Sequence, residues 1–239
     1  MHMPTAKNAT PKDPLAGCPV LIIFAKEPVP GQVKTRLCPP LSPRAAARLY
    51  RQFLDDILEE MAKLPRLKLA LAYTPASARA FFQNLAAAGT YLIAQSGEDL
   101  GERLRQAFDW GFAKGAGTVL IRNSDSPDLP RVLVQEAEEV LESGRAQVVL
   151  GPCPDGGYYL VGLRSPQPQL FQDITWSGPT VLADTLAQAG RMGLTIHLLP
   201  SWLDIDTFYD LQAFVESPTT SHAPGWRSFN LARDLLAEG

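Results

Sequence analysis

Three acidic turns and one basic loop carry most of the chemistry this sequence offers. Asp125 stands in Asn123-Ser124-Asp125-Ser126-Pro127-Asp128, a run of turn formers that stops the apolar segment Val119–Ile121. Asp155 stands in Gly151-Pro152-Cys153-Pro154-Asp155-Gly156-Gly157, behind the apolar run Ala146–Leu150. Asp204 and Asp206 alternate in Trp202-Leu203-Asp204-Ile205-Asp206-Thr207, so in extended backbone both carboxylates point the same way. The basic loop, Gly31-Gln32-Val33-Lys34-Thr35-Arg36, sets a flexible backbone before two cations. A carboxylate beyond a strand end can hold a hard cation that in turn holds phosphates. Exposed amides with Lys34 and Arg36 can neutralise a diphosphate. Each feature has a plainer reading: Asp is common at turns and helix starts, Asp-Gly closes hairpins, and a basic loop is often only solvated. Their recurrence after strands describes one crevice for an anionic, diphosphate-bearing ligand held through a divalent ion. The basic loop is not a P-loop, because it lacks the first glycine and the Gly-Lys-Ser/Thr core.

Other chemistries have poor material. Of the three histidines, His2 lies near the start, His222 in a polar stretch and His197 inside the apolar run Leu194–Leu199, where a core or edge-strand role is expected. A Ser-His-Asp or Cys-His mechanism therefore lacks parts. Cys18, Cys38 and Cys153 are far apart without paired metal spacing, and read as reduced thiols rather than a zinc site. A formal net charge of -3 argues against a nucleic-acid binder. No run approaches the ~18 apolar residues of a membrane span. Residues Met1–Pro19 read as a loose tail without a signal region, which predicts a cytoplasmic protein.

The elements that must position these residues alternate. Val20–Ala25 reads as a central strand buried on both faces. The Pro-rich loop Lys26–Leu41 follows, long enough to expect a function. Ser42-Pro43 caps a helix with an apolar face at Ala46, Leu49, Phe53, Ile57 and Met61; Asp55, Asp56, Glu59 and Glu60 beside it read as solvated. Strands are predicted over Leu67–Tyr73, Tyr91–Ala94, Val119–Ile121, Ala146–Leu150, Tyr158–Leu163 and Thr195–Leu199. Helices are predicted over Ala76–Ala88, Glu98 to about Lys114, Leu133–Ser143, Ser177–Arg191 and Phe208–Val215. Such alternation implies a mostly parallel sheet with right-handed crossovers. The expected organisation is a tail over 1–19, one domain over 20–216, and a connector with a short helix over 217–239. That helix, around Trp226–Leu236, is a candidate to dock on the body or to form a homodimer interface.

Phe24-Ala25-Lys26-Glu27-Pro28, Gly31 to Leu37, Leu100-Gly101-Glu102-Arg103, Ser124 to Pro130, Asp155 to Leu163 and Asp204 to Leu211 occur in the order of a known set of motifs. Through them the chain resembles an uncharacterised glycosyltransferase-like family of small bacterial proteins. It is a former domain of unknown function, sometimes called radical-SAM/selenodomain-associated transferases, in the GT-A nucleotide-diphospho-sugar transferase superfamily. The resemblance implies a GT-A type, Rossmann-like three-layer α/β/α sandwich with a mostly parallel mixed sheet. It implies that Ala25 and Lys26 border the nucleotide base, and that Gly31, Lys34, Arg36, Asn123 and Ser124 belong to the nucleotide and phosphate side. Asp125 stands at the superfamily's metal-binding acid, Asp206 at a second metal ligand, with Asp204 a further candidate, for Mg²⁺ or Mn²⁺. Asp155, Gly156 and Gly157 would line the acceptor side, with Asp155 the candidate general base. The chain departs from the family at Arg122 and Asn123, which replace an apolar residue and a glycine. Asn123 would narrow the nucleotide's approach, or Arg122 would add a phosphate contact.

These features predict a metal-dependent glycosyltransferase that takes a nucleoside diphosphate sugar and an unidentified acceptor. The alternatives are nucleotidyl transfer from an NTP with release of pyrophosphate, and a nucleotide-binding module without turnover.

Overall fold

The computed structural model describes residues 14–217 and 226–237. His2, His222 and parts of the expected tail and connector lie outside the described residues. In chain order the elements are β1 (Pro19–Lys26), α1 (Pro43–Met61), β2 (Lys68–Thr74), α2 (Arg79–Leu85), β3 (Tyr91–Ala94), α3 (Leu100–Ala113) and β4 (Thr118–Arg122). Then come α4 (Arg131–Glu142), β5 (Val148–Pro152), β6 (Tyr158–Leu163), α5 (Val181–Arg191), β7 (Ile196–Leu198), α6 (Phe208–Glu216) and α7 (Arg227–Ala237).

The strands form one sheet in the order β3-β2-β1-β4-β6-β5-β7. Every neighbouring pair is parallel except those made by β6, which runs antiparallel to β4 and β5. This is the α/β, Rossmann-like sandwich expected, and β1 shows why it has three layers. Leu21, Ile23 and Ala25 join one buried apolar cluster with α1, α4 and α7, while Val20 and Ile22 join a second with α3 and α5. Period-two alternation in an all-apolar strand thus feeds two cores at once.

The single reversed strand matters for the site. Parallel β1, β4, β5 and β7 all end on one rim of the sheet, and antiparallel β6 begins there. The loops after β1, β4 and β7 and the β5–β6 turn therefore meet at that rim, where open α/β sheets bind ligands. The Gly151–Gly157 stretch is a hairpin connection, as its Asp-Gly allowed, and it also opens on the rim.

Two helices are shorter than their sequence pattern. Ala76–Ala78 form a 3₁₀ turn before α2, and Ala86 is already extended. α5 starts at Val181 rather than Ser177, because Pro179 disfavours helical backbone at Gly178 and Ser177 has φ +66°.

One acid departs from expectation. Asp56 is only 4% exposed, not solvated. Its carboxylate accepts hydrogen bonds from the amides of Arg227 (3.2 Å) and Ser228 (2.7 Å), satisfying the first turn of α7 from a neighbouring helix. Leu231, Leu235 and Leu236 of that helix pack against the cluster containing α1. Asp56→Ala should cost about 1–2 kcal/mol, by analogy with lost helix caps. Chemical denaturation would read it as a lower midpoint, and an unchanged midpoint would show that the clamp contributes nothing.

Candidate active site

The rim encloses a cleft of about 990 Å³. Its walls contain Ala25, Lys26, Lys34, Arg36, Asn123, Ser124, Asp125, Asp155, Gly157, Asp204 and Asp206. Gly31 and Gly156 are not in its lining. Gly31 sits at φ +77° in an exposed turn, with open space where a Cβ would be. Gly156 lies at φ +90° beneath the backbone of Pro179, where a Cβ would fall 1.8 Å from the Pro179 carbonyl oxygen. Its carbonyl accepts from Leu182 N at 2.8 Å, so it joins the β5–β6 turn to the start of α5.

The centre of the cleft is an ion cluster. The Lys34 ammonium lies 2.6 Å from Asp125 Oδ1 and 3.0 Å from Asp206 Oδ1, and donates to the Ile205 carbonyl at 2.6 Å. Its side chain is only 4% exposed. Burial alone would lower its pKa, but Asp125 and Asp206 outweigh burial and hold it well above the ordinary lysine value. Lys34 adopts left-handed backbone, φ 48° and ψ 39°, at the head of the 3₁₀ turn Thr35–Leu37. That conformation is costly for a residue with a Cβ. Arg36, two residues on, is exposed, with Nη1 3.7 Å from Asp206 Oδ2. Lys34 and Arg36 thus approach one carboxylate from different sides, with Arg36 facing open cleft.

Asp204 lines the same cleft but takes neutral donors rather than Lys34. Asn123 Nδ2 donates to both its oxygens at 2.9 and 2.8 Å, Ser126 Oγ donates at 2.5 Å and Cys153 Sγ at 3.3 Å. Burial first, then the charge of Asp125, raise its pKa above the usual carboxylate range. Asn123 does not simply narrow the entrance: its amide braces Asp204, and its Oδ1 accepts from Asp125 N at 3.2 Å.

Arg122 contacts no phosphate side of the cleft; it is buried to 1% exposure. Its Nε donates to Asn123 O at 3.0 Å and its Nη2 to Ser126 O at 2.6 Å. Burial lowers its pKa to about 10, against the opposing charges of Asp204, Asp128 and Asp125. The residue that departs from the family pattern therefore tethers the backbone on either side of Asp125 from below. Asp128 accepts from Trp202 Nε1 at 3.1 Å, linking the same turn to the loop that carries Asp204 and Asp206.

Asp155 is an exposed lining residue of the cleft, its Oδ1 accepting from Gly157 N at 3.0 Å. Sequence periodicity missed Tyr50, whose spacing in α1 marks it only as core. Its hydroxyl reaches the rim, accepting from Lys26 N at 3.0 Å and sharing a 2.7 Å hydrogen bond with Ser124 Oγ. Burial pushes its pKa up to about 12. Arg103 and Trp176 also line the cleft. Arg103 lay inside a matched motif without an assigned role, and Trp176 in an irregular stretch with no periodic signal.

Two carboxylates and a peptide carbonyl converging on one cation form the hard-oxygen set that suits Mg²⁺ or Mn²⁺. Among the described residues no group of three or more His, Cys, Asp or Glu is arranged as a metal site. Two acids are enough for Mg²⁺, which commonly takes one or two carboxylates and completes its shell with water and substrate phosphates. The residues fit such an ion, provided Lys34 gives up its place.

The sequence pattern of a family described as "uncharacterized protein conserved in bacteria (DUF2064)" matches residues 57–178. The chain belongs to this family. A solved structure of a candidate nucleotide-diphospho-sugar transferase from Desulfovibrio desulfuricans G20 is 35% identical, with a TM-score of 0.86, over 92% of this chain and 95% of that one. More distant structures share the fold. A cytidylyltransferase from Leptospira borgpetersenii serovar Hardjo-bovis (strain JB197) has TM-score 0.53 at 11% identity, over 93% of each chain. A CMP:2-keto-3-deoxy-manno-octonic acid synthetase complexed with CTP has TM-score 0.54 at 12% identity, over 87% of this chain and 99% of that one. No curated protein matches this chain. Among the described residues no helix is long and apolar enough to cross a membrane.

Proposed function

We propose that the chain is a metal-dependent glycosyltransferase that uses a nucleoside diphosphate sugar. The observation that carries this reading is the convergence of Asp125, Asp206, Lys34 and Arg36 in a cleft that is also lined by a separate carboxylate, Asp155. The likeness to a candidate nucleotide-diphospho-sugar transferase supports it. Mg²⁺ or Mn²⁺, when held by Asp125 and Asp206, supplies charge stabilisation to the departing diphosphate.

The chain's own groups do the rest. Lys34 and Arg36 bind the diphosphate through charge-assisted hydrogen bonds. The β1 end at Ala25 and Lys26, backed by Tyr50 and Ser124, borders the base. Asp155 accepts the proton of the acceptor hydroxyl as its oxygen bonds to the anomeric carbon. The bond from that carbon to the diphosphate oxygen breaks, and the nucleoside diphosphate leaves with the electron pair.

A thermal-shift screen tests this directly. The ligands are UDP, GDP, CDP and ADP, their sugars and the NTPs, each with and without Mg²⁺. A ligand that binds only the folded chain raises its melting temperature with occupancy. The expected result is metal-dependent stabilisation by one nucleoside diphosphate and by its sugar, followed by release of that diphosphate when an acceptor is supplied. Stabilisation by an NTP alone, with pyrophosphate as product, replaces this reading with nucleotidyl transfer. Nucleotide binding without turnover of any donor leaves a binding module.

A further inference from the structure

We infer that Lys34 is a displaceable internal cation: its ammonium and a divalent ion compete for the same oxygens of Asp125, Asp206 and Ile205. The inference rests on the reading of Asp125 and Asp206 as metal ligands, and it concerns what governs their loading. Three oxygens lie within 3.0 Å of the Lys34 nitrogen. A divalent ion on those oxygens would sit in contact with a like charge, which is strongly unfavourable at such range. The two cations therefore exclude each other.

The surroundings decide where the ammonium can go. Its side chain is 4% exposed, beneath it the Phe53 ring lies 5.7 Å away, and left-handed backbone at Lys34 fixes the direction in which the chain departs. A buried ammonium stripped of its carboxylates needs another anion. Asp125 and Asp206 are the two carboxylates paired with Lys34, and the cleft residues flanking it in the chain, Gln32, Val33, Thr35 and Arg36, include no acid. A phosphate held by Arg36 supplies the anion that the displaced ammonium needs. Ion and phosphate then favour each other's binding by the same factor, because each relieves the cost that the other imposes on Lys34. The ion alone gains little, so without a diphosphate it loads the site, and frees Lys34, only at high concentration.

The probe is Mn²⁺ without nucleotide, its free concentration followed by electron paramagnetic resonance. Lys34→Met keeps an unbranched side chain one atom shorter and removes its charge. It should bind Mn²⁺ at least about tenfold more tightly than the wild type, given the size of charge interactions at a partly buried site. Adding Asp125→Asn to Lys34→Met should abolish that gain. Equal affinity in wild type and Lys34→Met leaves the metal reading intact and overturns the exchange. Failure of both to bind Mn²⁺, even with every nucleoside diphosphate present, overturns the metal reading and this inference with it. A second readout uses only the wild-type chain: lysine acylation followed by peptide mass. Lys34 should be protected, and saturating Mn²⁺ should raise its modification several-fold. Protection that Mn²⁺ does not change overturns the exchange even if Lys34→Met fails to fold.

Discussion

Asp125→Asn should lower turnover of the accepted donor by ~10²–10³-fold, the scale of losing one preorganised electrostatic group at a site of developing charge. The substitution is nearly isosteric. The backbone bonds that place the residue, Ile205 N to Asp125 O at 2.9 Å and Asp125 N to Asn123 Oδ1 at 3.2 Å, do not use the carboxylate. What disappears is one of the two negative charges facing Lys34. The amide oxygen can still accept from the ammonium, so the structural cost should stay near 1–2 kcal/mol, within the range for a hydrogen bond to a charged group. Turnover and stability should thus separate: a large fall in kcat, a modest fall in denaturation midpoint, and weaker Mn²⁺ binding in the presence of the diphosphate. A variant that keeps its kcat and its Mn²⁺ affinity removes Asp125 from the ion site, whatever its stability.

Much of this arrangement was legible in the chain. An apolar run that ends in turn formers is a strand meeting a rim, and the runs at β1, β4, β5 and β7 do so. Thr207 was readable as a helix cap because the pattern is local. In the structure its hydroxyl and the Asp210 carboxylate form a reciprocal capping box. The direction of β6 is legible only outside the strand. Tyr158–Leu163 shows the apolar pattern of a strand buried on both faces in either direction, and it is the short Asp-Gly connection from β5 that requires the reversal. The partners of charged side chains are not local either. Asp56 and Asp55 look alike beside an apolar helix face, yet Asp55 pairs with Arg51 on its own helix while Asp56 receives amides from a helix more than 170 positions away. Arg122 similarly carries no sequence sign that it will be buried under its own loop. Lys34 illustrates a third limit. Its position after β1 suits a phosphate ligand, but only three dimensions bring it between two acids from far along the chain.

The division of labour between the alternating acids Asp204 and Asp206 leads to the largest stability effect expected here. Asp206 faces the ammonium and Arg36. Asp204, two residues earlier, collects donors from Asn123, Ser126 and Cys153 and so ties together the ends of β4 and β5. Asp204→Ala leaves those three donors without this partner in a partly buried site and removes a charge that compensates buried Arg122. The cost should be about 2–3 kcal/mol, the scale of leaving partly buried polar groups without their partner. Asp204→Asn should cost less, because one oxygen still accepts while its new N–H₂ faces a donor. The pH dependence distinguishes these variants from the wild type. Burial and Asp125 raise the Asp204 pKa in the folded chain above its unfolded value, so the native state holds that proton more readily. The residue's contribution to stability therefore falls as pH rises through the raised value, and Asp204→Asn should remove that slope. Combining Asp204→Ala with Ser126→Ala should cost less than the two single changes added, because both sever the same bond. Strict additivity in denaturation, or an Asp204→Ala chain as stable as the wild type, would show that this carboxylate does not brace the turn beneath Asp125.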